Sequence, residues 1–218
     1  MTKKLTIYLA DDHTVVRKGM TRLFNTFARV GSVKEAGNGA ELLELVEKRR
    51  PDAVVLDVEM PVMGGMEAAK HLSDLFPEVK ILILTMHTEE AIIIRLMDIG
   101  VHGFLSKAAE PAEVETALYA IVDRDFYRNE IVEHALIRAA SIPKQVRTPL
   151  SAREIEVLLL ICEDLSPQEI GDRLGITQHT YFNHRAHILS KTDMRTNVGL
   201  VKFAYQAGLI KFGPLTTR

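Results

Sequence analysis

The chain has 218 residues, 47% apolar and 26% charged, with a formal net charge of −2. That length suits one large domain or two small ones and supports a core without disulfides or metals as staples. No apolar run approaches the roughly 20 residues that span a bilayer, and the stretch after Lys3 and Lys4 is soon interrupted by Asp11, so neither a membrane segment nor a leader is expected and the chain reads as cytoplasmic.

The first 122 residues alternate between two patterns. Apolar runs occur at Leu5–Ala10, Ala53–Leu56, Ile81–Leu84 and Gly103–Leu105, with a weaker one near Val33–Ala36. Between them, Val16, Met20, Leu23 and Phe27 recur at helical steps, as do Leu42, Leu45 and Val46, and later Val114, Leu118 and Ile121. Strand and helix in alternation predict an α/β domain with a parallel sheet covered on both faces, which is also why the strands are apolar almost throughout. The run AIIIRLM, Ala91–Met97, is apolar nearly all round and is expected in the core or at a homodimer or domain contact.

Residues 123–147 form a connecting segment: YRNEIVEHALIRAA predicts one helix, and SIPKQVRTP, with two prolines and no periodicity, a linker. From 148 to 218 the pattern is helical. Ser151 with Glu154 and Ser166 with Glu169 are capping-box pairs, and Pro167 sits at a favoured first helical position. Cys162, in the run VLLLIC, reads as a small buried side chain. Gly175 predicts a turn, Thr177 the next cap, a third helix covers about 178–191, and a fourth covers Asn197–Gln206. Two short helices joined by a tight glycine turn make a helix-turn-helix. Charge divides here too: residues 148–172 carry one basic and six acidic side chains, residues 173–218 seven basic and one acidic. A basic end on an acidic protein suits a polyanion.

Functional groups of an open parallel sheet collect at the carboxyl ends of its strands. Asp11 and Asp12 follow the first strand, Asp57 ends the third, Thr85 ends the fourth run, and Lys107 follows the fifth. With the doubly wound order 2-1-3-4-5, all five meet in one crevice. Two carboxylates about 5 Å apart at an effective dielectric near 20 repel by roughly 3 kcal/mol, so a cluster of three is costly unless a hard cation such as Mg²⁺ shares it with phosphate oxygen and water. Asp57, followed by the turn MPVMGG, is the candidate nucleophile for an acyl phosphate, with Lys107 and the Thr85 hydroxyl placed for the other phosphoryl oxygens. Singly, each residue is ordinary: a strand-end Asp is usually solvated, and Asp12 suits a helix cap.

LADDH, LDVEMPVMGG, LT and GFLSK make residues 5–122 resemble a receiver domain of the two-component response regulators. LSAREIEVL, LSPQEIGDRLGIT and the T-x-x-x-H-x-x-x-I-x-x-K spacing make residues 148–213 resemble the helix-turn-helix of the NarL/LuxR class. The resemblance implies a five-stranded receiver at 1–122 and a four-helix DNA-binding domain at 148–218. It implies that Asp57 accepts phosphate from a sensor histidine kinase, and that Asp11, Asp12, Asp57 and the backbone carbonyl of Glu59 serve Mg²⁺. Thr85 and Phe104 would be the switch pair, Lys107 the phosphate contact, and a homodimer the acting form. Ala108 departs from the proline many receivers carry there.

The third helix would enter the major groove of double-stranded DNA, with Thr180, Phe182, Asn183, Arg185, Ala186, His187 and Lys191 as its contact set. Asn183 suits adenine and Phe182 or Ala186 a thymine methyl, while Arg185, His187 and Lys191 suit phosphates. Tyr181 and Phe182 stand where the family commonly has a small aliphatic and then a basic residue. A metal site at His179, His184 and His187 lacks a carboxylate or cysteine at ligand spacing. The expected function is a phosphorylation-controlled transcriptional regulator, not an enzyme. The alternatives are a receiver whose helical end binds protein, and a Mg²⁺-dependent phosphohydrolase, for which a cap domain and a P-loop are both missing.

Overall fold

The computed structural model describes residues 4–86, 89–140 and 150–210. The proline-containing linker of the sequence reading lies outside them. Strands β1 (Leu5–Ala10), β2 (Val30–Ala36), β3 (Ala53–Leu56), β4 (Lys80–Thr85) and β5 (Gly103–Ser106) form one sheet in the order β2-β1-β3-β4-β5, parallel throughout. Helices α1 (Thr14–Thr26), α2 (Gly39–Lys48), α3 (Gly65–Leu75), α4 (Glu90–Ile99) and α5 (Pro111–Arg124) connect and follow them. Phe24 of α1 and Val114, Leu118 and Ile121 of α5 cover one face with Ile7, Leu9 and Val55. Leu42 and Val46 of α2, Leu72 of α3, and Ile93 and Leu96 of α4 cover the other with Tyr8, Val54 and Ile83. β2 shows a weak sequence signal because it is an edge strand: only Val30 and Ala36 are buried, and exposed Gly31, Ser32 and Lys34 need not be apolar.

The second face does not end at the receiver. Helix α6 (Glu130–Ala140) buries Val132, Ala135 and Leu136 in the same apolar cluster as Leu96 and Met97 of α4 and Leu200 and Phe203 of α10. α6 touches α4, β5 and α10. The apolar run at 91–97 is therefore core and domain contact together.

The C-terminal unit is α7 (Ala152–Cys162), α8 (Pro167–Leu174), α9 (Gln178–Thr192) and α10 (Asn197–Gln206). Both capping boxes form, Ser151 with Glu154 and Ser166 with Glu169. Gly175 closes α8 at φ +65°, a left-handed position where a side chain is strained, and Thr177 caps α9. Cys162 is buried, and burial pushes its thiol up to about 12.

Glu154 has a second role. Both its oxygens accept from Lys191 Nζ at 2.8 Å, tying the end of α9 to the start of α7. The Lys191 bond first, then the Ser151 backbone bond, pull its carboxyl down to about 2, against burial. A depressed carboxylate stabilises the fold above its unfolded pKa, and that contribution disappears as pH falls through the folded value. Lys191 is partly solvated, which screens the pair. Glu154→Gln should therefore lower stability at pH 7 by about 1–2 kcal/mol. In paired thermal melts the gap should narrow between about pH 4.5 and pH 2.

Candidate functional site

The crevice at the strand ends brings together the acids that the sequence separates. Asp11 and Asp57 are buried at 2% and 5% exposure. One ligand atom from each of Asp11, Asp12, His13 and Asp57 lies within 4.8 Å of all the others. Lys107 Nζ bridges the pair, 2.7 Å from Asp11 Oδ2 and 2.6 Å from Asp57 Oδ2. The other Asp57 oxygen accepts from the Val58 backbone N–H at 2.8 Å. Burial first, then the Asp11 charge, raises the Asp57 carboxyl above its ordinary value, outweighing Lys107 and Val58. Burial lowers Lys107, but its bonds to Asp11 and Asp57 more than compensate and raise it.

Local sequence explains the geometry. β1 and β3 are neighbours, so their last residues place Asp11 and Asp57 side by side. The loop after Asp57 doubles back tightly: the Gly65 N–H bonds the Val58 carbonyl at 2.8 Å, and a Cβ on Gly65 would sit 1.9 Å from the Asp57 carbonyl oxygen. Only glycine allows that approach. Val62 in the same loop has φ +67° and is 87% exposed, a conformation costly for a β-branched residue and typical of functional loops. Asp12 does not cap α1; His13 holds the cap position, its N–H donating to Asp11 Oδ1 at 2.8 Å. Asp12 Oδ1, shielded from solvent, accepts no well-aligned hydrogen bond although His13 Nδ1 lies 2.8 Å away. Two buried carboxylates beside a half-exposed one whose shielded oxygen is orphaned fit a hard cation and its oxygen ligands.

Thr85 is buried at the end of β4 and paired in register with Ser106. Its carbonyl accepts from the Lys107 N–H at 2.9 Å, which fixes the start of the lysine's loop, while Ala108 N–H donates to Ser106 Oγ at 3.1 Å. Phe104 is buried on β5, and its carbonyl accepts from Asn129 Nδ2 at 3.0 Å. Asn129 Oδ1 in turn accepts from the Val132 N–H at the start of α6. Glu59 lies two residues past Asp57 with its side chain exposed.

On α9, Tyr181 and Ile188 are buried, while Phe182, Asn183, Ala186 and His187 face solvent and Thr180 is partly covered. Arg185 is turned away from that face. Its Nε donates to Asn197 Oδ1 at 2.8 Å, and its guanidinium pairs with Asp125. Asp125 just ends α5, in a left-handed conformation, and also takes Lys80 and, at 3.4 Å, His102 Nε2. The Ile81 N–H donates to His102 Nδ1 at 3.1 Å, so the ring's proton is on the side facing Asp125. Burial raises Asp125, but His102 first, then Arg185 and Lys80, hold it far below the usual carboxylate range; burial lowers His102. Further junction contacts are Lys202 with Asp98, Arg195 with Asp74, Asn197 Nδ2 with the Arg124 carbonyl at 3.0 Å, and Arg124 with Asp164 at 3.1 Å. Sequence reasoning missed Asp125, His102 and Asn129. None sits in a motif, and only docking of the two halves gives Asp125 its Arg185 partner.

Among the described residues no helix is long and apolar enough to cross a membrane. Residues 7–119 match the family described as response regulator receiver domain, and residues 148–204 the bacterial regulatory proteins of the luxR family. The chain is 29% identical to the response regulator UvrY of Escherichia coli (strain K12) over 217 residues, covering 98% of this chain and all of that one. It is 31% identical to the oxygen regulatory protein NreC of Staphylococcus haemolyticus (strain JCSC1435), over 94% of this chain and 99% of the other. The solved RcsB–DNA complex shares the fold, with a TM-score of 0.57 at 23% identity over 94% of this chain and 99% of that one. With an acidic crevice at the strand ends, a lysine bridging it, and a capped helix-turn-helix behind, the chain belongs to the two-component response regulators of the NarL/LuxR class.

Proposed function

We propose that this protein is a transcription regulator switched by phosphorylation of Asp57, and that α9 is its DNA-reading helix. The observation that carries the reading is the cluster itself: Asp11, Asp12, His13 and Asp57 with ligand atoms within 4.8 Å and Lys107 bonded to two of the acids. An Asp57 oxygen attacks the phosphorus of a phosphohistidine on a sensor kinase. The P–N bond breaks, its electron pair stays with the imidazole, and an acyl phosphate forms on Asp57. Asp11, Asp12, Asp57 and the Glu59 carbonyl would hold Mg²⁺, which when bound neutralises charge on the phosphoryl oxygens. Lys107 holds another of those oxygens, exchanging part of its present pairing for the new anion.

The new phosphate draws the Thr85 hydroxyl and leaves space for Phe104. Phe104 is tied through Asn129 to α6, and α6 touches both α4 and α10. A shift at Phe104 therefore reaches the surface on which the C-terminal unit rests. Arg185 is the element that this surface controls: while it pairs with Asp125 it is not free for a phosphate. Release adds Arg185 to Thr180, Phe182, Asn183, Ala186 and His187, which are already open to solvent or partly so, and a homodimer sets two α9 helices on paired half-sites. RcsB, alike in fold, has been solved on DNA. Lys191, bound to Glu154, would have to leave that pair to act as the phosphate contact its charge suggests.

Selection from random duplex DNA, with and without acetyl phosphate and Mg²⁺, tests the output. The expected result is one enriched motif, bound more tightly by the phosphorylated protein. No enriched sequence in either state would mean that the helical end serves another partner.

A further inference from the structure

The exposed face of α9 has an unusual chemistry for a helix expected to read DNA: a large aromatic ring, Phe182, stands on it beside an amide, Asn183. In the docked arrangement Arg185 pairs with Asp125 and Asn197, and Lys191, at the exposed end of the helix, with Glu154. Gln178, His179, Phe182, Asn183, Ala186 and His187 face water, followed at the end of the helix by Ser190 and Lys191. Phe182 and Ala186 are one turn apart and form an apolar stripe; Asn183 and His187 form the stripe beside it. Bidentate contact to guanine O6 and N7 is the work of Arg or Lys, whereas Asn pairs with adenine N6 and N7, and apolar groups meet the thymine methyl.

Phe182 is 51% exposed, yet it is braced. Its ring meets Tyr181 edge-on, with centroids 5.1 Å apart and planes at 65°, and Tyr181 is itself only 2% exposed. A ring held in this way loses little freedom when it docks, so the contact it makes is strong for its area. The exposed, braced ring is a built apolar probe, next to an amide of the right chemistry for adenine.

Resting on the DNA-binding reading above, we infer that the half-site holds an A·T step read by the exposed face of α9: Phe182, with Ala186, reads a thymine C5 methyl, and Asn183 reads an adjacent adenine. Phe182 is thus a specificity residue, not a phosphate contact, and its loss should change the choice of sequence rather than the salt dependence.

The test uses the full-length phosphorylated protein and the selected duplex. Each thymine is replaced in turn by deoxyuridine, which removes only the methyl group, and Kd is measured at fixed salt. One or two positions per half-site should lose about 5–10-fold in affinity. In Phe182→Ala that penalty should vanish, thymine and uracil duplexes binding alike. Should F182A bind too weakly to measure, F182L must show a reduced penalty. Replacing the neighbouring adenine by 7-deazaadenine, which lacks the N7 acceptor, should weaken the wild type but not Asn183→Ala. Tight binding with no uracil-sensitive position, or a penalty unchanged in both Phe182 variants, overturns the inference and leaves the DNA-binding reading standing. No selected duplex at all removes both.

Discussion

Asp57→Asn should take up no phosphoryl group from acetyl phosphate and Mg²⁺, a loss of more than about 100-fold in labelling rate, read by intact-protein mass spectrometry. The substitution is nearly isosteric. The amide oxygen still accepts from the Val58 N–H, and the strand end keeps its shape. What it removes is the nucleophilic charge and one of the two carboxylates holding Lys107. The fold should survive, because easing repulsion with Asp11 offsets much of the lost Lys107 pair. The wild type should gain one phosphate per chain and stop there. Continued turnover of phosphoesters would instead mark a phosphohydrolase, and labelling of D57N at the wild-type rate would place the acceptor elsewhere.

Asp125→Ala should raise the affinity of the unphosphorylated protein for its DNA by about 10-fold or more. Asp125 pairs with Lys80 and His102 of the receiver and with Arg185 of α9. Its removal leaves Arg185 partly buried at the junction with, among the described residues, the Asn197 hydrogen bond. Hydrogen bonds to charged groups are worth roughly 1.5–3 kcal/mol, and stranding a buried charge costs more. The docked arrangement bears that cost, while the released one puts Arg185 in water or on a phosphate. The receiver's own losses around Lys80 and His102 are common to both arrangements and cancel in the comparison. Arg185→Ala separates latch from contact: it frees the domain too, but takes a phosphate contact with it and should bind DNA no better than the wild type. Equal Kd values for wild type and D125A, by fluorescence anisotropy on the selected duplex, would mean that Asp125 does not restrain the reading helix.

The sheet and the acidic crevice were legible for one reason: four of the five strands are short apolar runs with a functional residue at the end or directly after it. Asp11, Asp57, Thr85 and Lys107 need only the strand order to converge, and the strand order follows from the alternation. The edge strand β2 was faint because its residues face water. The capping boxes at Ser151 and Ser166 were legible because their partners lie only three positions along the chain. The junction was not. Asp125 and Arg185 are 60 residues apart, each in a unit that is self-consistent without the other, and no periodicity links them. Charge alone likewise offered Lys191 to a phosphate, since nothing in the local pattern points to Glu154 as its companion 37 residues earlier.

Helix α6 has a consequence for anyone who would cut this protein in two. Its buried side, Val132, Ala135 and Leu136, is shared between the receiver's α4 and the C-terminal α10. A fragment ending at residue 122 bares the greasy flank of α4, and one starting at residue 150 bares that of α10. Each piece would then be sticky for reasons unrelated to its biology, and self-association by such fragments would report the scar of the scissors rather than a native dimer.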